Sequence, residues 1–278
     1  MPEVETVRRG LIPHWVGRRI SFVDLRRPDL RFPFPSNLEE ALTGAKVIEI
    51  GRASKYLLIR LDNGNTWLSH LGMTGVWTID SPGDGKHDHV YVEFDDGALT
   101  STYSDHRRFG IMDLMPTSAE REHKLLSGLG PEPLTNDFTV ESLKSALHGR
   151  SPIKTVLLDQ RVVAGLGNIY VSEILHRSGI SPTKTAAEVA GKSQRIVAAV
   201  ERIHKFTNEV IFEAIEAGGS TISDFRGVDG SGDLGYFPQQ FMVFNREGET
   251  CKQENCGGTI RRIVQSGRST FYCPRCQR

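Results

Sequence analysis

At 278 residues the chain is long enough for two or three domains. Its hydrophobic content of 38% and charged content of 24% are those of an ordinary globular protein. No apolar run approaches the ~18 residues of a membrane span. The charged start lacks the apolar core of a secretory signal, so a cytoplasmic protein that makes no membrane contact is expected. Lys+Arg and Asp+Glu balance at 34 each, which excludes a protein that coats nucleic acid by bulk charge.

The chain opens on a predicted helix. Pro2 suits a first helical turn, where its missing N–H would be unpaired anyway. Glu3 and Glu5 favour the positive end of the helix dipole, and Val4, Val7 and Leu11 recur at helical spacing, so residues 2–11 read as a short amphipathic helix before Pro13. The period then shifts towards two. Ile20–Leu25, Val47–Ile50, Tyr56–Leu61, Thr66–Leu71, Val76–Ile79, Val90–Phe94 and Ala98–Tyr103 read as strands, with hairpin turns at Asp62-Asn63-Gly64-Asn65 and Asp95-Asp96-Gly97. So many short strands predict an antiparallel β-sandwich, domain one, over residues 1–130.

Gly130-Pro131-Glu132-Pro133 and Asn136-Asp137 mark a change of character. Val140–Leu147, Ile153–Gln160, Ile169–Arg177 and Ala186–Glu216 read as helices, and residues 131–225 as a helical domain. Gly165-Leu166-Gly167-Asn168-Ile169-Tyr170 lies between two of these helices. Asn168 reads as an N-cap there, and the helix start would aim its N–H groups at a phosphate. No strand precedes these glycines, so a dinucleotide fold is excluded. Residues 218–240 are rich in Gly, Ser and Asp and read as a long loop, with 226–240 as a linker.

The last block, 241–278, carries all four cysteines: Cys251-x4-Cys256, then sixteen residues, then Cys273-x2-Cys276. Two close pairs separated by a hairpin-length insert suit one tetrahedral, structural zinc ion. Disulfides are the alternative, which the absence of a secretory signal disfavours. Thr259–Val264 and Ser269–Tyr272 read as the strands of the insert, and Gln265-Ser266-Gly267-Arg268 as its turn. From Cys251 onward six basic residues face the single acid Glu254, an excess that suits phosphate. The stretch Asp105-His106-Arg107-Arg108-Phe109-Gly110 pairs cations with an aromatic ring, as a phosphate contact plus a wedge between bases would require. Met73, in Gly72-Met73-Thr74-Gly75, and Lys55, ahead of a strand, read first as a core methionine and a solvated lysine.

These motifs taken together resemble the formamidopyrimidine-DNA glycosylases. The resemblance is carried by Pro2-Glu3-Val4-Glu5-Thr6, Lys55-Tyr56-Leu57, His70-Leu71-Gly72-Met73-Thr74-Gly75, Lys86-His87-Asp88-His89, Arg107-Arg108-Phe109-Gly110, Leu129-Gly130-Pro131-Glu132-Pro133-Leu134, Gly165–Tyr170 and Arg268 among its cysteines. It spans the chain in order. It implies an α+β multidomain fold: a sandwich with a leading helix, a helix-two-turn-helix domain and a β-hairpin zinc finger.

It also implies a monomeric bacterial repair enzyme acting on double-stranded DNA that carries oxidised purines or abasic sites. Such an enzyme flips the damaged nucleotide, excises the base and cleaves the strand. By motif, Pro2 would be the nucleophilic amine, Glu3 the acid/base, Lys55 the aid to elimination and Arg268 the phosphate contact at the lesion. Met73, Arg107 and Phe109 would fill the gap in the duplex, and His87, Arg107 and Arg150 would hold its backbone. The family pattern has three more residues at its start. Pro2-Glu3 therefore matches either the first Pro-Glu of that pattern or the second, and a non-catalytic binder of damaged DNA on the same scaffold is the alternative function. His106 stands where the family usually has proline.

Overall fold

The computed structural model describes residues 1–191, 194–220 and 240–278, and the side chains of all of these but 194–197. Most of the expected loop at 218–240 lies outside the described residues. The chain forms two compact units. One holds Pro2–Ser127 with the segment that begins at Gly218. The other holds Met1, Gly128–Ala217 and the C-terminal segment to Arg278.

In the first unit, helix α1 (Pro2–Trp15) and helix α2 (Leu38–Leu42) accompany eight strands: β1 (Ile20–Leu25), β2 (Val47–Ala53), β3 (Tyr56–Leu61), β4 (Asn65–His70), β5 (Val76–Ile79), β6 (Asp88–Phe94), β7 (Leu99–Ser104) and β8 (Ile111–Pro116). They make two antiparallel sheets, ordered β1-β6-β7-β5 and β2-β3-β4-β8. The expected sandwich is present, with one strand more than the sequence reading gave. β8 pairs with β4, and its Met-rich sequence has little strand character of its own.

Helix α1 runs four residues beyond the predicted end. Pro13 removes one helical hydrogen bond, but Val4, Val7, Leu11 and Trp15 form a single buried stripe that carries the helix on. Trp15 stacks on Trp67 with ring centroids 5.9 Å apart and meets the edge of Trp77 at 4.9 Å. That packing outweighs the local cost of the proline.

The second unit contains α3 (Val140–Ala146), α4 (Ile153–Leu157), α5 (Asn168–Arg177), α6 (Ala186–Ala190), α7 (Gln194–Glu216) and the hairpin of β9 (Arg261–Gln265) and β10 (Arg268–Tyr272). Thr139 and Thr185 cap α3 and α6 with reciprocal side-chain bonds to the third residue inside. The single helix expected over Ala186–Glu216 is two: at Gly191 the backbone is extended, with ψ −173°. Ile153, Leu157, Val171, Ile174 and Leu175 share one apolar cluster with Ile260, Phe271 and Cys273. A finger too small to fold on its own core therefore completes that of the helices.

Candidate DNA interface and metal centre

Pro2 is the first residue of α1 and is buried; Glu3 follows, half-buried. The Glu3 carboxylate accepts from the hydroxyl of Ser220 at 2.6 Å and from its backbone N–H at 3.2 Å. Two residues on, Glu5 is gripped by three arginines. Arg8 reaches it at 2.8 and 2.9 Å, Arg9 at 3.1 Å and Arg52 at 3.2 Å. Burial pushes its pKa up, but the Arg8 and Arg9 bonds and the charge of Arg52 hold it down to about 2.

Arg52 also donates to the carbonyl of Ser54 at 2.7 Å. Ser54 is buried with φ +57°, in the turn that presents Lys55 between β2 and β3. Arg52 thus ties the first turns of α1 to the Lys55 turn. Lys55 is half-buried rather than simply solvated. Near it His70 is kept neutral: burial and the Lys55 charge push its pKa down to about 4. Its Nδ1 accepts the backbone N–H of Gly72.

The loop after β7 is organised around Asp105, whose carboxylate is wholly buried. It accepts from the Thr74 hydroxyl and from the backbone N–H groups of Arg107 at 3.2 Å and Gly110 at 2.8 Å. Its own carbonyl bonds His89 Nε2 at 2.8 Å, and its N–H donates to the carbonyl of His87. One aspartate therefore joins the Met73 turn, the His87 turn and the Arg107–Phe109 loop. Sequence reasoning found the motif but gave Asp105 no role, because an acidic residue among cations reads as surface.

Around Asp105 the expected contact residues are presented outward. His87, His106, Arg107 and Phe109 are exposed. The Arg107 guanidinium lies over the Phe109 ring, 4.9 Å from its centroid, and the His106 ring is 6.1 Å from that of His87. Met73 is 66% exposed, which overturns the reading of a core methionine. The buried Thr74–Asp105 bond holds this turn, and with it a large apolar side chain, in water.

In the helical unit, Asn168 corrects a second expectation. The cap of α5 is Gly167, and Asn168 is the first helical residue. Its side-chain amide donates to the carbonyl of Ser269 at 3.0 Å, next to Arg268. Lys154, which the sequence reading passed over, is buried and donates to the same carbonyl at 2.9 Å and to Thr270 Oγ1 at 2.6 Å. Burial and the charge of Arg268 push its pKa down to about 8. Arg268 is exposed at the start of β10, opposite Gln265. The turn between them is made by Ser266 at φ +49° and Gly267 at φ +72°, the twist a two-residue hairpin requires. Arg150 is exposed ahead of α4.

The four cysteine sulfurs lie within 4.8 Å of one another. The pair Cys256–Cys273 is 3.6 Å apart and Cys251–Cys276 is 3.9 Å apart. A zinc ion with Zn–S bonds of about 2.3 Å needs sulfur–sulfur edges of about 3.8 Å, so the group fits zinc. A Cβ on Gly258 would lie 2.6 Å from Cys273 Sγ, so only glycine allows the backbone this close to the sulfurs. Cys251, Cys256, Cys273 and Cys276 would hold one ion. With every position filled by protein the ion is structural and supplies folding energy rather than chemistry.

A sandwich led by a helix, a helical unit and a thiolate finger, with cations and bare apolar side chains on display, define a zinc-finger DNA-binding protein. Residues 1–112 match the formamidopyrimidine-DNA glycosylase N-terminal domain, 129–226 that family's H2TH domain, and 248–278 a zinc finger found in FPG and IleRS. The formamidopyrimidine-DNA glycosylase of Ruegeria pomeroyi is 51% identical over 100% of this chain and 99% of its own length; that of Caulobacter vibrioides is 48% identical over the same shares. Among solved structures, the MutM (Fpg) protein of Thermus thermophilus superposes with TM-score 0.87 at 35% identity, covering 100% of this chain and 98% of that one. Lactococcus lactis Fpg in complex with DNA containing an abasic site gives TM-score 0.87 at 33% identity, covering 100% and 99%. The chain belongs to the formamidopyrimidine-DNA glycosylase family, and it is a DNA repair glycosylase.

Proposed function

We propose that this enzyme excises oxidised purines, 8-oxoguanine and formamidopyrimidines among them, from duplex DNA and cleaves the strand at the resulting abasic site in the bacterial cytoplasm. The observation that carries this reading is the likeness, along the whole chain, to glycosylases whose structures hold abasic DNA, Fapy-dG DNA and carbocyclic 8-oxo-G DNA.

Pro2, once Met1 is removed, presents a secondary amine that titrates near neutral pH and attacks the sugar C1′ as the bond to the base breaks; the C1′–O4′ bond then opens, O4′ takes a proton, and the C1′=N Schiff base remains. The base leaves with its bonding electrons and a proton. Glu3, held by Ser220, transfers protons at the sugar. Lys55 assists elimination of the phosphate, and Arg268 binds the phosphate at the lesion. Met73, Arg107 and Phe109 occupy the space vacated by the flipped nucleotide, while His87, Arg150 and the Asn168 end of α5 hold the backbone. Arg52 positions rather than reacts, since it bonds to Glu5 and to the Lys55 turn.

Borohydride trapping on abasic DNA tests the assignment. Protein whose mass shows Met1 removed should yield a covalent adduct mapping to Pro2. An adduct on Lys55 would move the nucleophile, and binding without any adduct would remove Pro2 from the chemistry.

A further inference from the structure

We propose that His176 is a hydrogen-bond donor to the zinc-binding sulfurs, through which α5 sets the reactivity of the metal centre. His176 lies near the C-terminal end of α5, 2% exposed. Its Nε2 is 3.3 Å from Cys251 Sγ and 3.6 Å from Cys276 Sγ. These two cysteines come from different pairs, so one imidazole spans an edge of the sulfur tetrahedron. Its other nitrogen, Nδ1, is buried and has no hydrogen-bond partner among the described residues.

That asymmetry fixes the proton. A metal-bound thiolate carries no hydrogen and can only accept. With the proton on Nδ1, a buried donor would be orphaned while the Nε2 lone pair faced two anionic sulfurs. With the proton on Nε2, the N–H points at the thiolates, and all that is left unpaired is an acceptor lone pair. The second arrangement avoids both costs.

The donor has a consequence. Four thiolates around one divalent ion leave a net charge of about −2 in a half-dry site. An N–H shared between two of the sulfurs withdraws electron density from them, which lowers their nucleophilicity towards electrophiles and oxidants and slows loss of the ion. Outer contacts of this kind typically carry 10- to 100-fold in metal affinity. The same helix meets the finger at its other end, where Asn168 donates to Ser269. Helix α5 therefore holds both the hairpin and the sulfurs.

The test uses the full-length zinc-loaded protein and does not depend on any catalytic assignment. His176→Phe fills the space without a donor, and His176→Gln keeps an N–H. The Phe variant should lose zinc to a competing chelator at roughly tenfold lower free chelator or more. It should also react faster with an alkylating agent, first at Cys251 and Cys276 by peptide mapping. Gln should recover part of the difference. Unchanged affinity and alkylation in the Phe variant would overturn the proposal, as would equal acceleration at all four cysteines. Should the Phe variant fail to fold, NMR of the cadmium-loaded wild-type protein decides. A proton on Nε2 with only weak coupling to the metal supports the proposal, whereas a proton on Nδ1, or strong coupling diagnostic of direct ligation, overturns it.

Discussion

Glu5 shows how much a single residue does near the start of the chain. Three arginines converge on it, and one of them also holds the turn of Lys55. Its folded pKa of about 2 lies below the ordinary value of 4.5. The stability it contributes is therefore complete above about pH 4.5 and is lost as pH falls through about 2. Glu5→Gln should lower stability at pH 7 by about 2–4 kcal/mol in urea unfolding, with the gap to wild type closing in acid. A pH-independent gap would place the loss in packing instead.

Phe109 is the second residue with a sharp expectation, since its ring is exposed beneath Arg107. Phe109→Ala should slow excision of a paired lesion about tenfold or more while sparing cleavage at a preformed abasic site, because unstacking costs a few kcal/mol that a missing base reduces. Arg268→Ala should lower the salt dependence of DNA binding by about one unit of slope, the mark of one lost phosphate contact. Both are read by equilibrium binding and single-turnover assays. Equal losses on the two substrates for Phe109, or an unchanged slope for Arg268, would assign these side chains to structure or solvent.

Among the elements, α1 depends most on tertiary packing. Its stripe of Val4, Val7, Leu11 and Trp15 meets a sandwich core in which Trp15, Trp67 and Trp77 are fully buried. Trp15→Ala should cost about 3–5 kcal/mol. Because Trp15 and Pro2 sit on the same helix, Schiff-base trapping should fall with it even where the protein is still folded. Full trapping efficiency would show that the first turn is held by the Glu5–arginine cluster alone. Helix α5 is a different kind of element: ten residues whose N-terminal side chain reaches the hairpin and whose C-terminal histidine reaches the sulfurs.

For the whole molecule, zinc is the decisive ligand. The finger's Ile260, Phe271 and Cys273 lie in the same apolar cluster as the helices, so removing the metal should loosen more than the finger. Metal analysis should give about one zinc per chain, and strong chelation should lower the thermal midpoint and abolish specific DNA binding. A metal-free protein with an unchanged midpoint and four cysteines in disulfides would sink this.

The sequence by itself determined the order of the architecture and the chemistry of the metal. Period-two runs, proline-marked boundaries and paired cysteines are local signals, each readable within a few residues of chain. The motif loops were legible for the same reason, including Arg107–Gly110 and the hairpin arginine. Other features were settled at distances the sequence does not encode. Strand β8 exists because β4 offers an edge, and Met73 points to water because Thr74 is tied to Asp105 thirty-one residues away. Asn168 gives up the cap to Gly167 and turns its amide to Ser269. Burial turned Asp105, Lys154 and His176 from unremarkable polar residues into local organisers: Asp105 of the Met73 and Arg107 loops, Lys154 of the finger hairpin, and His176 beside the cysteine sulfurs. Desolvation makes such groups costly unless paired, and pairing is a property of the folded molecule alone.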